Sequence, residues 1–490
     1  MNKVRLSVCL LSAWVLAGCS SLAPKYHVPQ MTLAAQYSEH NGWQVGDPMD
    51  ATHRGPWWTI LADPQLDGLE HKLIQNNPDL QALLAHHIAL ENQLVALRSN
   101  LFPDIFGLGG IDRNRQSAHR PLRGPNQPSV YSSNILGVGV GYDTDLWGRI
   151  RDEVRAGTYG VQADAAALAS AQLSLQADLA STYMALRGLD WTEQVYNEDI
   201  HQFEISYQIT LARFKGGVAS GLDLNRAKAQ LSSVEALRDH LVGKRIVLEH
   251  AIAVLVGEDP NEFHLAYNPE PIELPSIPIG VPSQLLQRRP DVAQAERQLA
   301  AANAQIGVAK AAYFPDLTLN ADLGYESMGP ARWLSAPNLF WNLGPQFLVT
   351  LFDAHALDAQ VAAARDQYLQ RTAQYRSVVL KAFQDVDDQL GLLNSEQQEA
   401  QDSGDATLAA KKTAQLANIQ YKEGAVNYLE VAIAQASELE AERYDVALQT
   451  RRAIDTVGLI RALGGGWDRN SLPSVNSLDQ QKVAQVPNHP

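Results

Sequence analysis

The sequence contains only two cysteines in 490 residues, Cys9 and Cys19. A chain that matures at residue 19 would have no cysteine pair to oxidise, which excludes disulfide frameworks and thiol-based metal clusters. Positive charge is also scarce, since 39 lysines and arginines face 54 aspartates and glutamates, a formal net charge of −15. This balance argues against binding to nucleic acid or anionic lipid. No later segment offers about 18 consecutive apolar residues, so we predict no membrane-spanning helix.

The N-terminal residues have the features of an export signal. Two basic residues precede an apolar stretch, 6–16, that is too short to span a bilayer. The motif Leu16-Ala17-Gly18-Cys19 then resembles a bacterial lipobox, which implies cleavage before Cys19 and attachment of N-acyl and S-diacylglycerol groups to it. Ser20, in place of an inner-membrane retention aspartate, implies sorting to the outer membrane. The alternative is an ordinary signal peptide with a chance cysteine.

The two halves of the chain follow one plan. Asn77-Pro78-Asp79-Leu80 and Arg289-Pro290-Asp291-Val292 each open a helical pattern, and each pattern ends in a Phe-Pro-Asp motif. Both pairs of motifs are 212 residues apart. Phe214-Lys215-Gly216-Gly217 matches Tyr421-Lys422-Glu423-Gly424 at an offset of 207. Two collinear matches indicate an internal repeat.

Each half contains two segments in which apolar and polar residues alternate. The clearest are 317–325 and 341–351, and the first half has 136–142 and a weaker partner at 105–112. This period of two predicts strands with one apolar face, joined by polar loops around 113–130 and 327–338. Four strands are too few for a soluble sandwich.

The rest of the chain is predicted to be helix. The segments 149–215 and 353–422 contain no proline, and each would extend about 100 Å at 1.5 Å per residue. Helices of about half that length are predicted over 64–101, 222–256, 283–313 and 429–463. A coiled-coil rod would need leucine heptads, whereas the apolar stripe here is rich in alanine.

These patterns divide the chain into six parts. We expect a signal peptide (1–18), a lipidated tether and N-terminal segment (19–63), a first structural repeat (64–258), a Pro-rich linker (259–282), a second structural repeat (283–466) and a disordered C-terminal tail (467–490).

Several motifs carry a resemblance to a known family. They are Trp57-Trp58, Asp145-Leu146-Trp147-Gly148-Arg149, Arg288-Arg289-Pro290-Asp291, Ala382-Phe383-Gln384-Asp385-Val386 and Ala462-Leu463-Gly464-Gly465-Gly466-Trp467. With them, most of the mature chain resembles the TolC-like outer membrane factors, in the NodT/OprM-like lipoprotein branch. The resemblance implies a homotrimer in which each chain gives four strands to one twelve-stranded β-barrel, continued by a long α-helical barrel across the periplasm.

The resemblance also implies a function and partners. The channel would conduct small toxic compounds or drugs passively, together with a periplasmic adaptor protein and an inner-membrane transporter. The alternatives are a type I protein-secretion duct and a non-porous envelope scaffold. Neither an enzymatic activity nor a cofactor is implied, apart from the lipid on Cys19.

The two helix–helix turns are the expected adaptor-docking tips. They contain Gly217, Val218 and Gly221 in the first half, and Gly424 and Val426 in the second. Glycine permits the positive φ that a sharp turn requires, so turn geometry alone is the alternative explanation.

Carboxylates follow both turns at equivalent positions, Asp223 and Glu430. In a trimer, each would form a ring of three at the narrow periplasmic mouth and attract cations. The alternative is a carboxylate that stabilises the start of a helix. In the resemblance, Glu430 matches a gate carboxylate and Tyr421 keeps an aromatic gate position. Ile433 and Val426 stand where some relatives have a second carboxylate and a latch arginine.

Other polar clusters have simpler explanations. His86 and His87 with Glu91 do not form a zincin motif, and we predict no metal site there. Asp385, Asp387 and Asp388 are interpreted as one face of a helical cylinder.

Overall fold

The computed structural model describes residues 21–31, 56–119, 124, 126–275, 288–329 and 332–479. The signal peptide and Cys19 lie outside the described residues, so lipid attachment stays a prediction.

Each half of the chain contributes a β-hairpin and a long helical hairpin. The first half contains α1 (Pro64–Asn76), α2 (Pro78–Ser99), β1 (Asp104–Arg115), β2 (Val130–Asp143), α3 (Arg149–Lys215) and α4 (Gly221–Val256). The second contains α5 (Pro290–Ala311), β3 (Asp316–Ser327), β4 (Leu339–Leu348), α6 (Ala356–Glu423) and α7 (Tyr428–Ala462), and the short helix α8 (Val475–Asp479) follows.

The long helices confirm the sequence prediction. α3 has 67 residues and α6 has 68, so each extends about 100 Å. The helix start predicted at Asn77-Pro78 is confirmed by α2. One continuous helix over 64–101 is wrong, because Asn77 has an extended backbone and separates α1 from α2. Its side chain accepts a hydrogen bond from Leu80 N and donates one to Leu255 O, both at 2.8 Å. Among the described helices, none is both long and apolar enough to cross a membrane.

All four strands form one antiparallel sheet in the order β1-β2-β3-β4, so the central β2–β3 pair joins the two halves. The register aligns apolar side chains on one face, which we call the apolar sheet face. Val138 opposes Leu323, and Leu323 opposes Trp341. Trp341 is 73% exposed, as expected for a residue on an uncovered face. β1 and β4 are the two edges of this sheet.

Aromatic side chains mark the junction between sheet and helices. The rings of Trp147 and Phe314 stack with centroids 4.4 Å apart, and Trp147 Nε1 donates a hydrogen bond to Pro315 O. Leu351 and Phe352, which follow β4, are almost fully exposed. The junction therefore combines an apolar surface with satisfied polar groups, as side chains at a membrane–water boundary do.

The core lies where the helices of both halves meet. Its fully buried side chains include Leu179 and Tyr183 of α3, Ile252 of α4, Leu299 of α5, Leu390 of α6 and Leu459 of α7. Arg289, from the Arg288-Arg289-Pro290-Asp291 motif, fixes the start of α5 against two other helices. Its guanidinium donates hydrogen bonds to Asp385 Oδ2 of α6 and to Ala462 O of α7 at 3.0 and 3.1 Å. Asp385, one member of the predicted acidic cluster, therefore has a structural role as the partner of Arg289.

The segment 21–31 runs along α5 away from the sheet. The carbonyl groups of residues 22 and 24 accept hydrogen bonds from Lys310 and Asn303, and Tyr26 donates one to Glu296. Ser21 Oγ, at the sheet end, donates a hydrogen bond to Asp152 Oδ1 at 2.7 Å. The N-terminal segment is thus fixed from the sheet–helix junction toward the core.

The expected disorder of the tail is wrong for residues 467–479. Leu478 is 1% exposed and packs with Leu94 of α2 and Val161 of α3. Gln162 Nε2 donates a hydrogen bond to Pro473 O at 2.8 Å. The tail is mostly polar, and a single leucine makes its apolar contact with the helices. The composition of the tail therefore does not predict this contact.

Candidate gate at the hairpin tips

The first tip, 216–220, joins α3 to α4. Gly217 has φ of +73°, and Val218 N donates a hydrogen bond back to Arg213 O at 2.8 Å. This pattern is a Schellman motif, which satisfies the last carbonyl groups of α3. Ser220 then caps α4 by accepting a hydrogen bond from Asp223 N. The glycine requirement is confirmed at Gly217 and is wrong at Gly221, which is the first helical residue of α4.

The second tip, 424–427, repeats this geometry between α6 and α7. Gly424 has φ of +82°, and Ala425 N donates to Gln420 O at 2.8 Å. Asn427 caps α7 by accepting hydrogen bonds from Leu429 N and Glu430 N. The two tips therefore share both their C-terminal and their N-terminal capping, as the sequence repeat predicts.

An aromatic cluster joins the two hairpins just above the tips. The rings of Tyr421 and Tyr428 meet edge to face with centroids 5.6 Å apart, and both are buried. Burial, with smaller contributions from Tyr421 and Asp223, raises the pKa of Tyr428 to about 12. Tyr421 was predicted as a gate residue, and its ring lies between the hairpins, where its hydroxyl is 3.2 Å from Thr210 Oγ1.

Arg213 of α3 holds this cluster from the other hairpin. Its guanidinium carbon lies 4.5 Å from the centroid of the Tyr421 ring, and Nη1 donates a hydrogen bond to Tyr421 O at 2.7 Å. We call this pair of contacts the Arg213–Tyr421 clasp. Sequence reasoning missed Arg213, because the repeat places Gln420 at the equivalent position and gives no signal for the contact.

The two predicted carboxylates differ in their surroundings. Asp223 accepts a hydrogen bond from Ser220 Oγ at 2.8 Å and lies 3.7 Å from Arg226 Nη1. This capping arrangement matches the alternative explanation for Asp223. The Glu430 side chain is exposed at the start of α7. Glu430 is therefore the freer of the two carboxylates.

The predicted docking residues also differ in exposure. Val218 is 75% exposed at the first tip, with Leu222 and Phe214 exposed beside it. Val426 is partly buried against the aromatic cluster. The first tip thus presents more apolar surface than the second.

A buried carboxylate lies farther up the helical hairpins. Asp199 of α3 is 4% exposed, and its Oδ2 has no hydrogen-bond partner within the described residues. Burial, reinforced by Glu442 and Glu438 of α7 and opposed by Lys411 of α6, raises its pKa to about 8. Below about pH 8, the protonated form of Asp199 is therefore favoured. Asp199 lies where α3 meets the second hairpin.

The histidine pair on α2 does not assemble a converging ligand set. His87 Nδ1 lies 2.9 Å from Asp164 Oδ2, and its Nε2 lies 3.5 Å from Glu91 Oε1. The two carboxylates therefore flank different sides of one ring. In the part of the chain that the structure describes, no group of three or more potential ligands could hold a metal ion.

Comparisons with known proteins agree with this architecture. The model of the outer membrane efflux protein family matches residues 69–257 and 281–465. The probable efflux pump outer membrane protein TtgC of Pseudomonas putida is 30% identical over 99% of this chain and 100% of its own length. Outer membrane protein OprJ of Pseudomonas aeruginosa is 28% identical over 96% of this chain and 97% of its own length. The solved structure of the outer-membrane channel OprN is similar with a TM-score of 0.83 and 28% identity, over 91% of this chain and 100% of that one.

Proposed function

This chain belongs to the outer membrane efflux protein family, and we propose that three copies of it form the exit channel of a tripartite efflux pump. The channel passes small toxic compounds or drugs from the periplasm to the exterior. The observation that carries the proposal is the apolar sheet face, which has two open edges and continues into helices about 100 Å long.

The open edges favour a closed assembly of several copies. A four-stranded sheet that ends in β1 and β4 leaves unpaired backbone groups on both sides, which is unfavourable in a bilayer. Pairing β4 of one copy with β1 of the next removes these edges. Three copies give twelve strands, within the range of known outer-membrane barrels.

Exposed side chains on α6 support the same assembly. Five leucines along this helix are exposed in the single chain, and they point in several directions around it: Leu369, Leu380, Leu392, Leu408 and Leu416. In the trimer, each copy has two neighbours, and the leucines that face a neighbour become buried.

The fixed N-terminal segment supports the lipid anchor at Cys19. Ser21 is bonded to Asp152 near the start of α3, directly below the sheet. Two residues span at most about 7 Å, so the lipid on Cys19 enters the membrane close to the sheet–helix junction. The anchor and the barrel then share one membrane boundary.

The gate lies at the tips in this proposal. The Arg213–Tyr421 clasp holds the second hairpin against the first, and an adaptor that engages the exposed apolar side chains at Val218 and Leu222 releases it. Glu430 forms the selective carboxylate ring, while Asp223 contributes less because its oxygens are engaged.

Photo-crosslinking in cells at two positions tests the proposal. A crosslinker at Val218 is expected to capture a periplasmic adaptor, and one at Leu408 another copy of this chain, with a conducting trimer in planar bilayers. Capture of a protein-secretion adaptor would favour the type I duct. Absence of both a Leu408 crosslink and conductance would favour the scaffold and refute the channel.

A further inference from the structure

Charged residues are segregated between the two faces of the sheet at the end farthest from the helices. Asp112 and Glu326 lie on the face opposite to the apolar sheet face, where Ser133 donates a hydrogen bond to Glu326. Arg113 and Arg115 follow Ile111 on the apolar sheet face itself, and both are exposed. The residues opposite them in the register are Ser132 and Val130. At this end, the described part of the apolar sheet face is thus cationic without a balancing carboxylate.

A neighbouring copy cannot neutralise these arginines through the strand that would join β1. In the proposed trimer, this strand is β4, preceded by the loop from β3. The segment 327–348 contains no aspartate or glutamate, and its one charged residue is Arg332. The hairpin segment 112–130 has four arginines and one aspartate, in a chain of net charge −15. The positive patch is therefore local, and the net negative charge, which argues against binding of anionic lipid by the protein as a whole, does not describe this end of the sheet.

The position of the two arginines corresponds to the headgroup level of the outer leaflet. Eight residues separate Ile105 from Arg113, about 27 Å along the strand at 3.4 Å per residue. With a strand tilt of about 40°, Arg113 and Arg115 lie roughly 20 and 26 Å above Ile105. The apolar band of such barrels is about 25 Å tall. With Ile105, the first apolar residue of β1, taken as the inner edge of this band, the guanidinium groups lie at the outer boundary of the hydrocarbon and face lipid.

We propose that Arg113 and Arg115 bind a phosphate group of the glycolipid that forms the outer leaflet. Side chains at alternate positions of a strand lie on one face about 7 Å apart, so two guanidinium groups can approach one phosphate. Arginine matches phosphate oxygens with paired N–H donors, and clusters of basic residues at a membrane surface recognise anionic headgroups. The inference rests on the proposed membrane-spanning trimer.

Native mass spectrometry of the purified full-length trimer tests this proposal. The protein is titrated with lipid A that carries two phosphates and with dephosphorylated lipid A. We expect the wild type to prefer the phosphorylated form by about tenfold or more, since hydrogen bonds between charged groups are strong. Arg113→Gln with Arg115→Gln should abolish this preference, and Arg113→Lys with Arg115→Lys should keep part of it.

A matched control removes two exposed positive charges elsewhere. Lys215→Gln with Lys422→Gln removes the same charge near the tips, far from the sheet and from the exposed leucines of α6, and should leave the preference intact. An equal loss in this control, or competition by excess inorganic phosphate, would overturn a specific glycolipid contact. A conducting wild-type trimer without lipid preference would overturn this inference alone. A wild type that forms neither trimer nor channel would overturn the proposed function and this inference with it.

Discussion

Replacing Arg213 with methionine is expected to favour the open state of the channel. Methionine keeps the unbranched apolar stem but removes the guanidinium group. The variant therefore loses the hydrogen bond to Tyr421 O and the contact with the Tyr421 ring. The Schellman bond to the carbonyl group of Arg213 involves only the backbone, so the first tip keeps its shape.

The expected size of the effect follows from these two contacts. A hydrogen bond from a charged group contributes about 1.5–3 kcal/mol, and an exposed cation–π contact about 0.5–1 kcal/mol. Arg213 is only partly buried, so we take about 2 kcal/mol for each chain. If one clasp limits opening, the ratio of open to closed channels rises about 30-fold.

Single-channel recording of purified protein in planar bilayers measures this ratio directly. Arg226→Met is the matched control, because it removes the same charge at the same tip from a residue whose ion pair spans 3.7 Å. We expect a large increase in open probability for Arg213→Met and little change for the control. An unchanged open probability for Arg213→Met, or an equal increase in both variants, would refute the clasp as the closing contact.

Three further predictions concern charge, pH and packing. Glu430→Ala should reduce cation selectivity, measured as the reversal potential in a salt gradient. Asp223→Ala should change the reversal potential less, because Ser220 and Arg226 engage that carboxylate. Equal shifts of the reversal potential in the two variants would contradict this expectation. Asp199→Asn should raise the Tm at pH 8 and leave it unchanged near pH 4. Burial raises the pKa of Asp199 to about 8, so the stability of the wild type falls as the pH rises toward that value. A difference in Tm that does not depend on pH would disprove this assignment. Gly188→Ala should lower the free energy of unfolding by about 1–3 kcal/mol in denaturant, because an added Cβ would lie 2.3 Å from Thr450 Oγ1. Adding Thr450→Ala should restore part of the loss. An unchanged free energy of unfolding for Gly188→Ala would contradict this packing.

The long elements were predictable because their signals are local. Continuous helix-forming residues without proline predict α3 and α6, and alternation of apolar and polar residues predicts β3. The break at Asn77 is signalled by the Asn-Pro motif that opens α2, but the hydrogen bond from its side chain to Leu255 O, 178 residues away, could not be inferred from the sequence.

The candidate gate was predictable only in part. The repeat located both tips, and the positive φ values at Gly217 and Gly424 follow from turn geometry. The clasp joins Arg213 to a carbonyl group 208 residues away, and its strength depends on how two hairpins pack. Periodicity reports which face of one helix is apolar, but it does not report which residue of another helix meets it.

The uninterrupted length of α3 also determines how a small movement is transmitted. A helix of 67 residues acts as a lever about 100 Å long when it rotates about the sheet junction. A rotation of about 5° there displaces the far end by roughly 9 Å, because displacement is the product of length and angle. Spread over the whole helix as a uniform bend, the same displacement needs about 10°, or less than about 0.2° for each residue, far within the ordinary scatter of helical dihedral angles. The hairpins can therefore swing apart by the width of a small molecule without breaking any backbone hydrogen bond.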